Sequence, residues 1–320
     1  DLHRRRHSFP TRRSSDLVLA KNLKEIYPDC RVDYLVNGES VDMLTLNPNI
    51  DNVYGYDRKK AKKSGFFGRA AYEFSLFKKI IQNRYDIVIN TTEGERGGYI
   101  SMLSKAKIKV GITAKKGVFK KFSPYTHEFR LTLFRHIVES NLDTLRVLGY
   151  EPTSKAVELY FSDEDEGAVS KLLGETTEFV HFHPASRWFF KCLSPAQNGE
   201  IIDFIDSLGI RVVLTAAPDA KEQKMIDEIL FCCKSSPINL SGKLTLKQLA
   251  ALSSRAKLFF GADTAAMHIA ASQNTPCIAV FGPSGVFNWG AWDNDANISG
   301  YTQKNDIQRM GRHTMFQVSW

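Results

Sequence analysis

The stretch Gly261–Pro283, GADTAAMHIAASQNTPCIAVFGP, decides the fold. The apolar run Lys257 to Phe260 that leads into it predicts a strand, and Asp263-Thr264 a turn. Ala265 to Ser272 has the composition of a helix, Asn274-Thr275-Pro276 breaks it, and Cys277 to Phe281 predicts a second strand ending at Gly282-Pro283. Strand, turn, helix and strand in so short a span make a compact parallel crossover. Such a unit puts Asp263 at the carboxyl end of a buried strand. The amides that follow open a helix, where unpaired N–H groups and the dipole attract an anion. Two readings compete: Asp263 or Thr264 as a plain cap in a scaffold unit, or an anion site. His268, in the first turns where a structural helix would carry Ala or Leu, favours the site.

The 320 residues suffice for two domains; 43% are hydrophobic, and no apolar run is long enough to span a bilayer, which predicts a soluble chain. Cys30, Cys192, Cys232, Cys233 and Cys277 are odd in number and lack metal-ligand spacing. They point to a reduced, cytoplasmic compartment without a disulfide framework. The net charge of +8 suggests an anionic partner. Nucleic acid is the weakest candidate, because the basic residues are not interleaved with aromatic stacking residues.

Residues 1–16, DLHRRRHSFPTRRSSD, do not read like the rest. Five Arg stand against two Asp, without periodicity and without the apolar core of a signal peptide. They are read as a foreign-looking stretch outside the fold. From Leu17 the chain alternates. Leu17–Ile26, Phe66–Asn83, Tyr99–Ser104 and His136–Leu148 predict helices, and Val32–Val36, Val53–Tyr56, Ile87–Asn90 and Ile108–Ile112 predict strands. After a linker at Pro152-Thr153-Ser154 the pattern repeats, with helices at Glu164–Leu173, Pro195–Leu208, Lys221–Cys232 and Leu246–Ser254. The accompanying strands are Phe179–His183, Val212–Thr215 and Ile238–Leu240, and Met315–Trp320 reads as a last one. The expected class is α/β with two doubly wound parallel sheets: an N-terminal domain, residues 17–152, lacking its first strand and turn, and a C-terminal domain, residues 153–320, possessing no closing helix.

Two further constellations sit at predicted strand ends. Pro184-Ala185-Ser186-Arg187-Trp188-Phe189-Phe190-Lys191 follows Phe179–His183 and offers a hydroxyl, a guanidinium and an ammonium suited to a diphosphate. Its plain alternative is a solvated basic loop over packed aromatics. Gly282–Trp292, GPSGVFNWGAW, either walls a sugar or base with its aromatics or packs as a hydrophobic loop.

These segments, SRWFFK, FFGADTAAMHIAA with PCIAVFGPSG, and HIVESNLDTLRVLGY, resemble the bacterial lipopolysaccharide heptosyltransferases of glycosyltransferase family 9, and its core-branching branch most. The resemblance covers Leu17 to Trp320, and the Asp-Thr-x-x-x-His helix start is its most specific part. It implies a GT-B type fold, two Rossmann-like domains facing across a cleft, with the acceptor bound by the N-terminal domain and the nucleotide sugar by the C-terminal one. It further implies ADP-L-glycero-D-manno-heptose as donor, the lipopolysaccharide inner core as acceptor, inversion at the anomeric carbon and neither metal nor other cofactor. By the same resemblance Asp263 would hold heptose hydroxyls, the amides of Thr264 and Ala265 the diphosphate, with His268 in the same turn. Ser186, Arg187 and Lys191 would clamp the phosphates, with spacing one residue different from some members, and Leu244 would lie against adenine. Charge on the departing ADP would then be met by Lys191, Arg187 and the helix start.

One departure is serious. The family's general base is an Asp in a Gly-Asp turn before the first helix. That place falls near Arg12, and Asp16 lies too close to the helix to replace it, so no catalytic base is assigned. The chain as written is expected to bind ADP and to transfer heptose poorly. On the acceptor side, Glu93 and Arg96 in the loop Thr91–Gly98 are candidates for sugar hydroxyls or phosphate. Seven lysines between Lys105 and Lys121 are either a solvated face or an attraction to the anionic acceptor and to the inner membrane, where the enzyme would be peripheral. The alternatives are a non-catalytic relic that binds nucleotide sugar and a GT-B enzyme of another kind, such as an epimerase, for which too few cleft carboxylates are visible.

Overall fold

The computed structural model describes residues 15–114, 117–132, 134–281 and 285–292, with the strand backbones 309–310 and 313–317. The position near Arg12, Lys115 and Lys116, and Gly282 to Ser284 lie outside the described residues. By contact density the chain divides into two units: Ser15–Val41 with Asn49–Lys155, and Asp42–Pro48 with the chain from Ala156 onward.

In the first unit, β1 (Asp33–Asn37) pairs in parallel with β2 (Asn52–Tyr56), and β3 (Ile87–Asn90), β4 (Ile108–Ile112) and β5 (His127–Phe129) form a second parallel sheet. The helices are α1 (Val18–Ile26), α2 (Arg58–Lys63), α3 (Gly65–Ile81), α4 (Glu95–Leu103) and α5 (Ile137–Arg146). Val110, Ile112 and Phe129 make the buried centre, against which Val147 and Leu148 pack. The loop read at Thr91–Gly98 is shorter than its composition suggests, because α4 begins at Glu95 and runs through Gly97-Gly98. Glycine is required at both places. A Cβ at Gly97 would meet the Asn90 side chain at 2.4 Å, and one at Gly98 the Phe119 ring at 2.4 Å. Here two glycines mark a helix start pressed against the Asn90 and Phe119 side chains, where composition alone reads a loop. The helix α2 and the three-residue β5 have no apolar periodicity to announce them.

Thr153 and Ser154, read as linker, are clipped onto α1. The Asn22 side chain is fully buried. Its Oδ1 accepts the backbone N–H groups of Thr153 (2.9 Å) and Ser154 (3.2 Å), and its Nδ2 donates to the carbonyls of Ser154 (2.8 Å) and Val18 (2.7 Å).

In the second unit the elements are α6 (Asp163–Leu173), β6 (Phe179–His183), α7 (Pro195–Ser207), β7 (Arg211–Leu214), α8 (Ala220–Cys232), β8 (Ile238–Asn239) and α9 (Leu246–Arg255). They continue as β9 (Leu258–Ala262), α10 (Ala265–Ser272), β10 (Cys277–Phe281), α11 (Val286–Trp289), β11 (Arg309–Met310) and β12 (His313–Gln317). The sheet order is β11-β12-β10-β9-β6-β7-β8, parallel except for β11. From β6 the chain winds outward through β7 and β8, then returns to β9 on the other side of β6 and winds away through β10 and β12. The winding reverses between β6 and β9, and at such a reversal the strand ends open a crevice.

Helices on both faces explain why the strands read as continuous apolar runs. Val180, Phe182, Val212 and Leu214 face α7 and α8 through Ile202, Ile205, Met225, Ile226 and Ile229. Phe179 and Val213 face α6 and α9 through Val169, Leu173 and Leu252. Gly261 of β9 pairs with His183 of β6, and a Cβ there would sit 2.3 Å from the His183 carbonyl oxygen, so the close approach of these two strands needs glycine.

Replacing Asn22 by Ala leaves the part-buried N–H groups of Thr153 and Ser154 without this acceptor and empties a fully buried side-chain site. This should lower the unfolding free energy by about 2–3 kcal/mol, read from the urea midpoint of the N-terminal unit. A change within error would mean that the 153–154 contact is incidental.

Candidate functional site

Three helices of the second unit start with reciprocal capping boxes: Ser162 with Asp165, Ser194 with Gln197 and Thr245 with Gln248. The helix α10 does not. Its N-cap Thr264 is extended and its side chain makes no cap hydrogen bond; the Thr264 hydroxyl is buried without a hydrogen-bond partner. This uncapped helix start lies directly after β9, beside the winding reversal. The sequence reading of a plain cap therefore fails at Thr264, and Asp263 is engaged elsewhere.

Asp263 and Lys191 form a buried ion pair. Lys191 Nζ donates to Asp263 Oδ2 at 2.6 Å, with side chains 5% and 8% exposed. Lys191 ends a short 3-10 turn, Phe189–Lys191, that closes the loop after β6, so the pair ties the ends of the two central strands together. Ser186, also buried, accepts the Trp188 N–H at 3.3 Å through its hydroxyl oxygen, while Arg187 is exposed. The loop does not lie over packed aromatics: Phe189 and Phe190 are exposed, and Trp188 packs on Phe190 with ring centroids 5.9 Å apart.

His268 is buried, and its Nε2 has no hydrogen-bond partner. Burial pushes its pKa down, the Asp263 carboxylate pushes it up and Lys191 pushes it down again. The net effect is downward, so the ring is neutral near pH 7 and offers one donor or one acceptor. Ala265 follows Thr264 at the first helical position. Leu244 is half-buried in the loop after β8 and packs on the cluster around Leu240 and Leu252. Seven of the eight donor-side candidates, Ser186, Arg187, Lys191, Asp263, Thr264, Ala265 and His268, thus lie in the loop after β6 and around the start of α10, Arg187 with its side chain exposed; Leu244 belongs to another loop at the carboxyl edge of the sheet.

Two features escaped the sequence reading. Glu222, in the first turn of α8, is buried with Oε2 accepting the Ala217 N–H at 2.9 Å. Burial raises its pKa, opposed by the Ala217 amide, raised by Asp219 and lowered by Arg187. The second is a chain of buried side chains. His181 Nδ1 meets Ser253 Oγ at 3.0 Å and its Nε2 meets Thr215 Oγ1 at 2.8 Å; His183 Nδ1 meets the same Thr215 oxygen at 2.8 Å. The Ser253 hydroxyl donates to the Leu249 carbonyl at 2.8 Å. With that donor used, each link has one direction: His181 donates to Ser253, Thr215 donates to His181, and His183 donates to Thr215. Burial holds both rings neutral, that of His183 with a pKa lowered from 6.5 to about 4.

On the acceptor side, Glu93 is exposed in the loop before α4. Arg96 is held in place instead: its guanidinium lies 3.5 Å over the Tyr56 ring, and Nη2 is 3.5 Å from Glu73 Oε1. An acceptor group reaching Arg96 must compete with those contacts. Of the loop Gly282–Trp292, Ala291 and Trp292 are buried, whereas Phe287 is exposed.

Residues 73–317 match the model of glycosyltransferase family 9 (heptosyltransferase). The chain is 33% identical over 280 residues to lipopolysaccharide heptosyltransferase 3 of Escherichia coli, covering 86% of this chain and 81% of that protein. The chain belongs to glycosyltransferase family 9. It is a glycosyltransferase of the heptosyltransferase type, and its fold is the GT-B type of the family's solved structures. The glycosyl transferase family 9 protein of Veillonella parvula superposes with a TM-score of 0.81 at 20% identity, covering 97% of this chain and 83% of that one. Escherichia coli heptosyltransferase WaaC, solved with ADP, superposes with a TM-score of 0.74 at 16% identity, covering 97% and 91%.

Two expectations follow for this family 9 site. Removing either partner of the buried pair strands the other charge: Asp263→Asn should cost about 3–5 kcal/mol, whereas Asp263→Asn with Lys191→Met should regain most of that stability. Equal thermal denaturation of the single and double variants would show that the charges do not depend on each other. For His183, the unfolded ring gains a proton near pH 6.5 and the folded ring only near 4, so acid favours unfolding. Stability should be full above pH 6.5 and fall by up to about 3 kcal/mol as the pH drops through 4. Imidazole NMR signals for His183 titrating near 6.5 would contradict this.

Proposed function

We propose that the protein transfers heptose from ADP-L-glycero-D-manno-heptose to the inner core of lipopolysaccharide, inverting the anomeric centre without a metal ion. The observation that carries this reading is the Lys191–Asp263 pair at the uncapped start of α10. A sugar nucleotide supplies a partner for every group there. Its diphosphate suits Lys191, Arg187, the Ser186 hydroxyl and the Thr264 and Ala265 amides. The sugar hydroxyls suit Asp263, which accepts, and the neutral His268. Leu244 offers an apolar surface to the base. In the transfer step an acceptor oxygen bonds to the anomeric carbon from the face opposite ADP, the bond to the diphosphate oxygen breaks, and the acceptor proton passes to a base. The charge left on ADP is met by Lys191, Arg187 and the helix amides, in a low-dielectric setting where such donors act strongly. The base is the one role for which no residue is proposed, since its expected place falls near Arg12, in the foreign-looking stretch, where no Gly-Asp turn stands.

An acceptor carried on lipid would hold the reaction at the cytoplasmic face of the inner membrane, with the protein peripheral; among the described residues no helix is long and apolar enough to cross a membrane.

Calorimetry with ADP, ADP-heptose and UDP-sugars tests the donor. ADP and ADP-heptose should bind at least about tenfold more tightly than any UDP-sugar, roughly 1.4 kcal/mol, and EDTA should not weaken binding. Preference for a UDP-sugar would overturn the donor assignment. ADP release with a heptose-bearing acceptor should be slow; turnover at rates typical of transferases would show that this chain does supply a base, and NMR of the product reports inversion or retention.

A further inference from the structure

The helix α3 exposes its apolar face. Phe66, Phe67 and Phe74 are 81%, 85% and 70% exposed, while Tyr72, Glu73, Leu76 and Phe77 are partly covered and Ile80 is buried. Phe66, Ala70 and Phe74 recur at four-residue spacing with Phe67 and Ala71 beside them, so they line one stripe of the helix. A surface helix of a globular unit has this pattern reversed, with charge outward. Contiguous exposed aromatic surface of this kind marks an interaction site.

The charges around the stripe are mostly basic, with Asp57 capping α2 and Glu39 pairing with Lys59 at 3.7 Å. The helix α2, sequence RKKAKK, contains five basic residues and no acid, and it meets α3 through Ser64 and Gly65, whose φ of +64° makes the sharp junction. Lys62, Lys63, Lys78 and Lys79 are exposed. The one acidic residue of α3, Glu73, is engaged by other groups: it accepts from Tyr56 Oη at 2.7 Å and pairs with Arg69 at 3.2 Å and Arg96 at 3.5 Å. Phe66 and Phe67 pack edge to face, centroids 5.5 Å apart, as a single apolar knob at the start of α3.

We propose that α2 and α3 form a membrane-docking surface, with Phe66, Phe67 and Phe74 entering the acyl boundary of a bilayer rich in anionic phospholipid and the flanking lysines lying on its headgroup phosphates. Charge complementarity selects this occupant. Basic helices with aromatic faces lie in the plane of an anionic interface, and polybasic segments are drawn to it. The core of a protein interface is depleted in lysine. A second copy of the chain, docked by the same face, would oppose the exposed Lys62, Lys63, Lys78 and Lys79 to the same four lysines. The surface uses none of the lysines of the Lys105–Lys121 run considered from sequence. It depends on the proposed function only in expecting a lipid-anchored acceptor.

The test is cosedimentation of the full chain with vesicles containing phosphatidylglycerol or made of phosphatidylcholine alone, with no sugar present, so that its failure is separable from failure of the transferase reading. The chain should bind the phosphatidylglycerol vesicles, weakly at high salt, and leave the phosphatidylcholine vesicles in the supernatant. Phe66→Ser with Phe67→Ser should reduce partitioning at least about tenfold with unchanged thermal denaturation, as both side chains are exposed. Lys62→Ala with Lys63→Ala should reduce it about twenty-five-fold, near fivefold per lysine. Equal binding to both vesicle types, or vesicle binding untouched by the Phe substitutions, overturns the proposal. So does a dimer, or an oligonucleotide complex, that the Phe substitutions abolish while vesicle binding persists.

Discussion

A lysine and an aspartate withdrawn from water must find each other, and in the second unit they do so across the one place where the sheet changes its direction of winding. Lys191 ends the loop after β6 and Asp263 ends β9, neighbouring strands whose connections run to opposite sides. Each ion alone would cost several kcal/mol to bury. Together they fix the loop 184–191 against the start of α10. The positions of Ser186, Thr264 and His268 follow from that closure. The pair is poor evidence of stability in itself, since an apolar pair of equal volume would often serve as well. Its retention makes sense where both charges are needed by a ligand that carries anions and hydroxyls together.

The strands that read most faithfully, β3, β4, β6 and β10, are those buried on both faces or bounded by turn residues, because burial imposes a continuous apolar run on the sequence itself. Asp263, Thr264 and His268 were legible for a related reason: a strand end, a turn and a helix start occur within a few residues, so their neighbourhood is local. The partnership of Asp263 with Lys191 spans 72 residues and depends on sheet order. Local spacing carries no trace of it. The same holds for His181, Thr215 and Ser253, which meet only because β6, β7 and α9 stack.

Arg96 and Glu222 show the converse. Read from its loop, Arg96 is a free cation beside a strand end. Folded, it lies on Tyr56 and beside Glu73, both supplied by other elements. Glu222 reads as one of several charges in an ordinary amphipathic helix; folded, it is buried and accepts the Ala217 N–H. Short motifs reveal which chemistry a segment offers; the fold decides which of those groups are already spoken for.

The histidines give the site its electrostatic character by what they withhold. His181, His183 and His268 all have burial as the largest cause of a lowered pKa, and Lys191 lowers His268 further. None contributes charge near neutral pH. Cationic attraction around α10 therefore rests on Lys191, Arg187 and backbone amides, while the imidazoles act only as directional hydrogen-bonding groups. Had His268 been cationic beside Lys191, Asp263 would have faced two positive partners and been less available to hydroxyls. Keeping it neutral leaves one carboxylate for one ammonium.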